Sequence, residues 1–364
     1  MKRVVIIGAG PAGSAAALAL HSYPNIEILL LEKAVLPRQK VCGSCLSPWA
    51  LALLDEIGIG PLLRKEAYFI HAALIGGSSG QAVELRSHYE AAVLLRARLD
   101  MLLAHEAAHR GAQLCEGVQV KELVRENGRL IGIQTNQGSI EADVAIVCSG
   151  AKTRLTYTER PGRILNTIMA WYEHVEGISD VVELYFDPVI KPHYGWIFPE
   201  GPDRVNIGIC YDSADRRLNA LERFEVFLDH RVSRRLAHAK RIGPLVGHPI
   251  ATTHRPTTLV EPGVLVAGEA GKLVDASSAE GIYHALASGN IAGHFLGRIL
   301  ARGDDVSQEH LAPYTGLVRQ QLGSRLRAGH AFLQVLKTPA LDLALSIGSL
   351  EPVRKFLTRV FAST

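Results

Sequence analysis

The sequence predicts a mixed α/β fold of α+β character: a Rossmann-like domain on a parallel sheet, interleaved with an antiparallel-sheet domain and closed by C-terminal helices. Three observations predict it. The chain opens on strand, glycine turn, helix and strand; its middle, from Ile164 to Tyr211, holds successive strand patterns with no helix between them; residues 304–364 read as helices.

Lys2 to Ile7 form a short β-branched run. GAGPAG follows from Gly8 to Gly13, then an Ala/Leu-rich helix to about His21, then the strand IEILLLE ending at Glu32. Gly8 permits a tight turn, Gly10 lets backbone N–H groups approach a pyrophosphate, and Gly13 lets the helix pack on the strand. A helix N-terminus faces the anion there, worth roughly 0.3–1 kcal/mol per charge. Glu32 lies 19 residues beyond Gly13, near the spacing of a carboxylate that binds ribose hydroxyls. The pattern predicts a dinucleotide site, with Pro11 and Ala12 inside the turn and Lys33 beside Glu32.

An inserted region runs from about Leu36 to Leu95. Ser47 is a plausible N-cap, Pro48 a first helical residue, and Gly58 a stop. Arg96 then stands ahead of a helix carrying Leu99, Leu102 and Leu103 on one face. Strand-like runs QLCEGVQVKELV, RLIGIQT and DVAIVCSG are separated by Asn127-Gly128 and Gln137-Gly138 turns. ILNTIMAWYEHV, DVVELYFD, HYGWIF and RVNIGICY predict the antiparallel sheet. Towards the end, GVLVAGEAGKLVD is a strand running into Gly268-Glu269-Ala270-Gly271, followed by a helix from Ile282 to Leu300 whose start offers free N–H groups.

Composition narrows the functional classes. The chain has 364 residues, 48% of them hydrophobic, enough for one large unit or two intimately joined domains. Net charge is +3 with no basic block, so nucleic acid is not an expected partner. The apolar run VVII near the start is too short for a signal-peptide core or a membrane span, which predicts a cytoplasmic protein. Five cysteines, an odd number, do not suggest a secreted disulfide framework.

GAGPAG with Glu32, the Arg96-x-x-Leu99-Asp100 stretch, and GEAG followed by EGIYHALASG resemble the FAD-dependent oxidoreductases of the p-hydroxybenzoate hydroxylase type. KVCG, and HYGWIFP followed by RVNIGI, are similar to their geranylgeranyl reductase-like branch. The resemblance, which runs from Met1 to about Ala301, implies FAD as cofactor. It places the pyrophosphate at Gly8 to Gly13, a ribose on Glu32, Arg96 and Glu269 near the pyrophosphate and ribityl chain, and the amides of Gly281 and Ile282 at the pyrimidine end of the flavin. Gly268, Lys40 and Cys42 join that cofactor set. Two positions depart from the pattern. Glu269 stands where relatives carry aspartate, and Ser149-Gly150 stands where many hydroxylases carry Asp-Gly. The aspartate resembles a contact to nicotinamide, so NAD(P)H or another donor is left open as transient reductant.

KVCGSCLSP, residues 40 to 48, raises three readings: a zinc clip, a redox disulfide, or part of the flavin-site wall. The remaining cysteines occur singly, and the disulfide reductases space their pair differently. The third reading makes Cys42 a reactive thiol or proton donor near Lys40 and the Ser47-capped helix, with a buried filler as its alternative. Cys45 acquires no role. His105 to His109, HEAAH, fits a zinc-peptidase motif, but lies on the Arg96 helix and reads as a solvated flank. Tyr194 and Trp196, in Pro192 to Pro199, read either as core or as an aromatic wall for a large apolar substrate; with Cys42 they form the candidate catalytic set. RLRAGHAFLQVLK and RKFLTRVF combine basic and apolar residues, reading as packed helices or as a peripheral membrane or partner-protein surface.

The expected domains are residues 1–70, 96–160 and 250–301 for FAD, 71–95 and 161–249 for substrate, and 302–364 as a C-terminal helical region. The expected activity is reduction of a C=C bond in a hydrophobic small molecule by hydride transfer from FADH2. The alternatives are a flavin-dependent monooxygenase of an aromatic or polyketide-like substrate, and a non-catalytic flavin-bound maturation or partner-binding protein.

Overall fold

The computed structural model describes residues 1–156, 163–256, 258–348 and 350–363, so the expected domain boundary at residues 160 and 161 lies outside the described residues. β1 (Lys2–Ile7) passes through the glycine turn into α1 (Pro11–Leu20) and returns as β2 (Ile26–Glu32), parallel to β1. The insertion supplies β3 (Cys45–Leu46), α2 (Pro48–Glu56), α3 (Gly60–Leu63), β4 (Tyr68–Gly76) and β5 (Ala82–Val93). Next come α4 (Arg96–His109), β6 (Gln113–Glu116), β7 (Val120–Glu126), β8 (Arg129–Thr135), β9 (Gly138–Glu141) and β10 (Val144–Val147). The middle of the chain gives β11 (Arg163–Glu173), β12 (Val181–Tyr185), β13 (Gly195–Pro199), β14 (Val205–Asp212), α5 (Ala220–Arg231) and β15 (Lys240–Thr252). β16 (Val260–Glu261) and β17 (Val264–Val266) lead through a tight 3-10 turn, Gly268–Gly271, towards α6 (Ile282–Arg302). α7 (Gln308–Leu311), α8 (Pro313–Leu336), α9 (Ala340–Ser346) and α10 (Glu351–Ser363) follow.

The first sheet has the order β16-β17-β10-β1-β2-β6, parallel except at β16. Its inner strands are covered on both faces, which is why Val4 to Ile7 and Val144 to Val147 are unbroken apolar runs. On one face α1 packs against α6, and the alanines of α1 keep the two helices close. Gly289 makes the approach possible: a Cβ there would sit 2.0 Å from the Ala12 carbonyl oxygen. The starts of both helices are thereby carried to the same side of the sheet.

The second sheet has the order β15-β11-β14-β13-β12-β4-β5-β3, and within it β11, β14, β13 and β12 pair antiparallel as the sequence predicts. It is not wholly antiparallel, because β12 runs parallel to β4, with Val182 opposite Ala73 and Leu184 opposite Ile75. Alternating apolar residues report a half-buried strand without reporting which way its neighbour runs. The sheet also recruits more chain than expected: Cys45–Leu46 at one edge, β4 from Tyr68, and β15 to Thr252. Phe224 and Phe227 of α5 cover its outer face. β7, β8 and β9 form a separate three-stranded antiparallel sheet, turning at Asn127-Gly128 and Gln137-Gly138 as their sequence predicts.

The closing helices pack against the second sheet. Leu336, Leu341, Leu345 and Leu357 join Ile75, Leu85 and Phe186 in one apolar cluster, and Asp342 accepts from the Ser78 amide at 2.7 Å while pairing with Lys191 at 2.7 Å. Among the described residues no helix is long and apolar enough to cross a membrane.

Candidate cofactor and substrate site

Between the two large sheets lies a cavity of about 980 Å³. It begins beyond the carboxyl ends of β1 and β2, where open α/β sheets bind ligands. Gly8, Gly10, Pro11, Ala12, Glu32, Lys33, Lys40, Cys42, Arg96, Glu269, Gly281, Ile282, Tyr194 and Trp196 all line it. Of the residues singled out from sequence, Gly13 and Gly268 do not. Gly13 lies beneath the turn against the Gly8 carbonyl, and Gly268 packs on Ala12 and donates its amide to Ser288 Oγ at 2.8 Å.

At the nucleotide end, the Glu32 carboxylate accepts from the Ala9 amide at 3.1 Å and the Ala34 amide at 3.2 Å. Arg38, absent from the sequence expectations, ties Glu32 at 3.2 Å to Asp100 at 3.0 Å. Asp100 is fully buried and receives Arg96 through two parallel bonds of 2.8 and 3.0 Å. Burial opposes the charge on Arg96, but Asp100 and the nearby Cys42 thiol outweigh it and raise its pKa. We expect Arg96→Met to lower stability by about 2 kcal/mol, the scale of lost charged hydrogen bonds when Arg38 still faces Asp100. Urea unfolding of the apoprotein measures it; an unchanged midpoint refutes the network.

Further in, the Lys40 ammonium donates to His248 Nε2 at 2.9 Å and stands 3.9 Å from Glu269. Burial, then the neighbouring Lys40, Lys152, Arg96 and Lys33, push the His248 pKa down to about 4, so the ring is a neutral acceptor. Burial lowers the Lys40 pKa against the pull of Glu269, and raises that of Glu269 against the pull of Lys40 and Arg96.

The two cysteines diverge. Cys42 faces the cavity, accepts the Ser44 amide on Sγ at 3.3 Å, and lies against Arg96 rather than depending on Lys40 alone. Cys45 is drawn into β3 opposite Val93, where burial pushes its thiol up to about 12. The histidines of HEAAH are exposed on α4, and Glu106 is paired with Arg110 at 2.7 Å.

Tyr194, Trp196 and Phe198 form a wall. Trp196 stacks on Phe198 with centroids 6.0 Å apart and meets Tyr194 edge-on at 6.2 Å. Trp196 Nε1 donates to Asn206 at 2.7 Å, and the Tyr194 hydroxyl, its pKa raised well above normal by burial, donates to the Ser278 carbonyl. Their polar atoms are committed to protein partners, and ring surface is what they present to the cavity. Beyond them the cavity continues between Ala73, Ile75, Met169, Val182, Leu184 and Phe186, reaching Phe332 of α8 and Thr358 of α10.

These residues fit a flavin dinucleotide. Neither α1, preceded by Gly10, nor α6, preceded by Gly281, has a side-chain cap, and both uncapped ends border the cavity. Orphan N–H groups at a helix start need acceptors, which a pyrophosphate and a flavin carbonyl edge can provide. Cations towards the nucleotide end and aromatic rings beyond them match the polarity of such a molecule.

The FAD binding domain family model matches residues 1–160. Digeranylgeranylglycerophospholipid reductase of Methanoculleus marisnigri is 28% identical over 331 residues, covering 85% of this chain and 80% of that protein. Menaquinone reductase of Mycobacterium tuberculosis is 31% identical over 234 residues, 59% of this chain and 56% of that one. The crystal structure of a geranylgeranyl bacteriochlorophyll reductase-like protein from Thermoplasma acidophilum superposes with a TM-score of 0.86 at 22% identity, covering 96% of this chain and 92% of that one. FAD is the cofactor of this enzyme: residues 1–160 match the FAD binding domain family, and the chain is similar to reductases named for a digeranylgeranyl lipid and for menaquinone.

Proposed function

We propose that this enzyme reduces a C=C bond in a large apolar substrate of the prenyl-chain or prenylquinone class. The observation that carries the reading is the continuity of the cavity, from the uncapped starts of α1 and α6 into an apolar passage ending at the C-terminal helices. The reductase relatives, whose names specify a polyprenyl lipid and a menaquinone, support it. When bound and reduced, FAD supplies a hydride.

The protein holds and orients. The N–H groups of Gly10 and Ala12 and the cations Arg96 and Lys40 would hold the pyrophosphate, Glu32 a ribose, Glu269 the ribityl chain, and the Gly281 and Ile282 amides the pyrimidine edge. Tyr194 and Trp196 would hold a substrate double bond in place by ring contact. The apolar walls exclude water, and Cys42, fixed by Ser44 and Arg96, stands where the polar and apolar parts meet. The electron donor, NAD(P)H or another, would act transiently. Val335, Leu343, Ile347 and Leu350 are exposed at and after the end of α8, and we assign them peripheral contact with a membrane or partner protein.

Mixing the anaerobically reduced holoenzyme with a polyprenyl lipid or a menaquinone is expected to reoxidise the flavin and yield a product with two added hydrogens by mass spectrometry. Oxygen alone should reoxidise it slowly. A hydroxylated product formed with oxygen, and none formed without it, would establish the monooxygenase instead; flavin that responds to neither leaves a binding protein.

A further inference from the structure

We infer that Glu280 is the proton store of this site: its carboxyl takes up a proton as the bound cofactor is reduced and gives it to the substrate carbon that does not receive the hydride. The inference rests on the double-bond reduction proposed above and identifies the source of its proton.

Glu280 immediately precedes Gly281, where α6 begins, and lines the cavity opposite the segment Cys42 to Ser47. Both carboxyl oxygens are sealed from solvent, and among the described residues no well-formed hydrogen bond reaches them, the Ser47 hydroxyl being their polar neighbour. Burying a carboxylate in such a place penalises its charged form and moves its titration towards neutral pH, where a change in neighbouring charge decides whether it holds a proton. Burial pushes the Glu280 pKa up to about 7, helped by Asp275 and opposed by the Ser47 hydroxyl and the Arg325 guanidinium.

The surroundings explain why no closer partner neutralises it. Arg325 of α8 lies over the rings of Trp49 at 4.6 Å and Tyr283 at 5.2 Å. Asp275 has one carboxylate oxygen occupied by the amides and hydroxyls of Ser277 and Ser278, all within 2.7 to 2.9 Å. His284 Nδ1 is 3.0 Å from the backbone oxygen of Glu280, and burial first of all pushes the ring down to about 4, so it brings no charge. From β3, Cys45 faces Glu280 as a neutral thiol.

Negative charge arriving at the start of α6 raises the pKa of a neighbouring carboxyl further. Reduction and proton uptake at Glu280 are therefore linked. Adding two hydrogens across a C=C bond then takes a hydride, carrying the electron pair from the cofactor, and the Glu280 proton. The alkene becomes CH–CH, and the side chain becomes a carboxylate ready for the next proton. Cys42 has no comparable supply, since the Arg96 guanidinium beside it does not give up protons.

Redox-induced infrared difference spectra of the holoenzyme, reduced by dithionite, test this without substrate. Wild-type and Cys42→Ala proteins are expected to gain a carboxylic-acid C=O band on reduction, which Glu280→Gln lacks. Glu280→Gln should also lose about 100-fold in turnover, the scale of a general acid, while binding FAD normally. A band that persists in Glu280→Gln overturns the assignment, as does its absence from wild type. Should Glu280→Gln fail to fold, Glu280→Asp replaces it, and a band at an unshifted frequency overturns the proposal. A Glu280 band in an enzyme that reduces no double bond refutes the reaction but keeps the redox-linked protonation; double-bond reduction without the band refutes only the proton store.

Discussion

Gly13→Ala is expected to give a protein that purifies without flavin colour. The new methyl group would stand 1.9 Å from the Gly8 carbonyl oxygen and 3.2 Å from Ile6 Cγ2. Its first obstacle is backbone, which cannot rotate aside, so either the turn opens or α1 lifts away from β1. Overpacking of this kind costs about 1–3 kcal/mol. The larger effect falls on binding, because the N–H groups at the start of α1 must converge on one pyrophosphate. A loss of FAD affinity of at least about 100-fold, or roughly 2.7 kcal/mol, is expected. Titration of apoprotein with FAD by fluorescence quenching measures it, with circular dichroism to establish that the variant folds. Tight binding of FAD by folded Gly13→Ala would show that the pyrophosphate does not lie on this turn.

That prediction rests on the part of the molecule most legible in the sequence. From Lys2 to Glu32 every element follows from its own residues, because the turn, the helix start and the acidic strand end are local features. Ser47 likewise caps α2 through the Ala50 amide at 3.3 Å, as a serine before proline suggests. Contacts that depend on distant segments were not legible. His248 reaches Lys40 from 208 residues away, and Arg38 joins Glu32 to Asp100 only because β2 and α4 are brought together. The β12·β4 pair unites segments more than a hundred residues apart, and neither strand's pattern encodes its partner. Glu280 was readable as a residue near a helix start, but its charge state depends on walls contributed by β3 and α8. Chemistry written in one stretch of chain can be read there, whereas a pKa belongs to the assembled cavity.

The apolar passage allows the substrate to be tested separately from the cofactor. Ala73 lines the cavity on β4, opposite Val182 of β12, and belongs to the clusters formed by Trp196 and Met169 on one side and Ile75 and Phe186 on the other. Ala73→Trp is expected to place an indole across the passage and lower kcat/KM for a long prenyl substrate more than about 100-fold, a loss of about 2.7 kcal/mol in transition-state binding. FAD affinity should stay within about two-fold, because Ala73 lies in the apolar passage on β4 and is none of the residues assigned to the dinucleotide. A short substrate that occupies only the Trp196 end should retain more of its rate, since length makes the passage necessary. Equal losses for short and long substrates would mean that the indole disturbs the reacting end. An unchanged rate for both would show that the substrate takes another route, and that the passage between Ala73, Val182 and Leu184 is packing space alone.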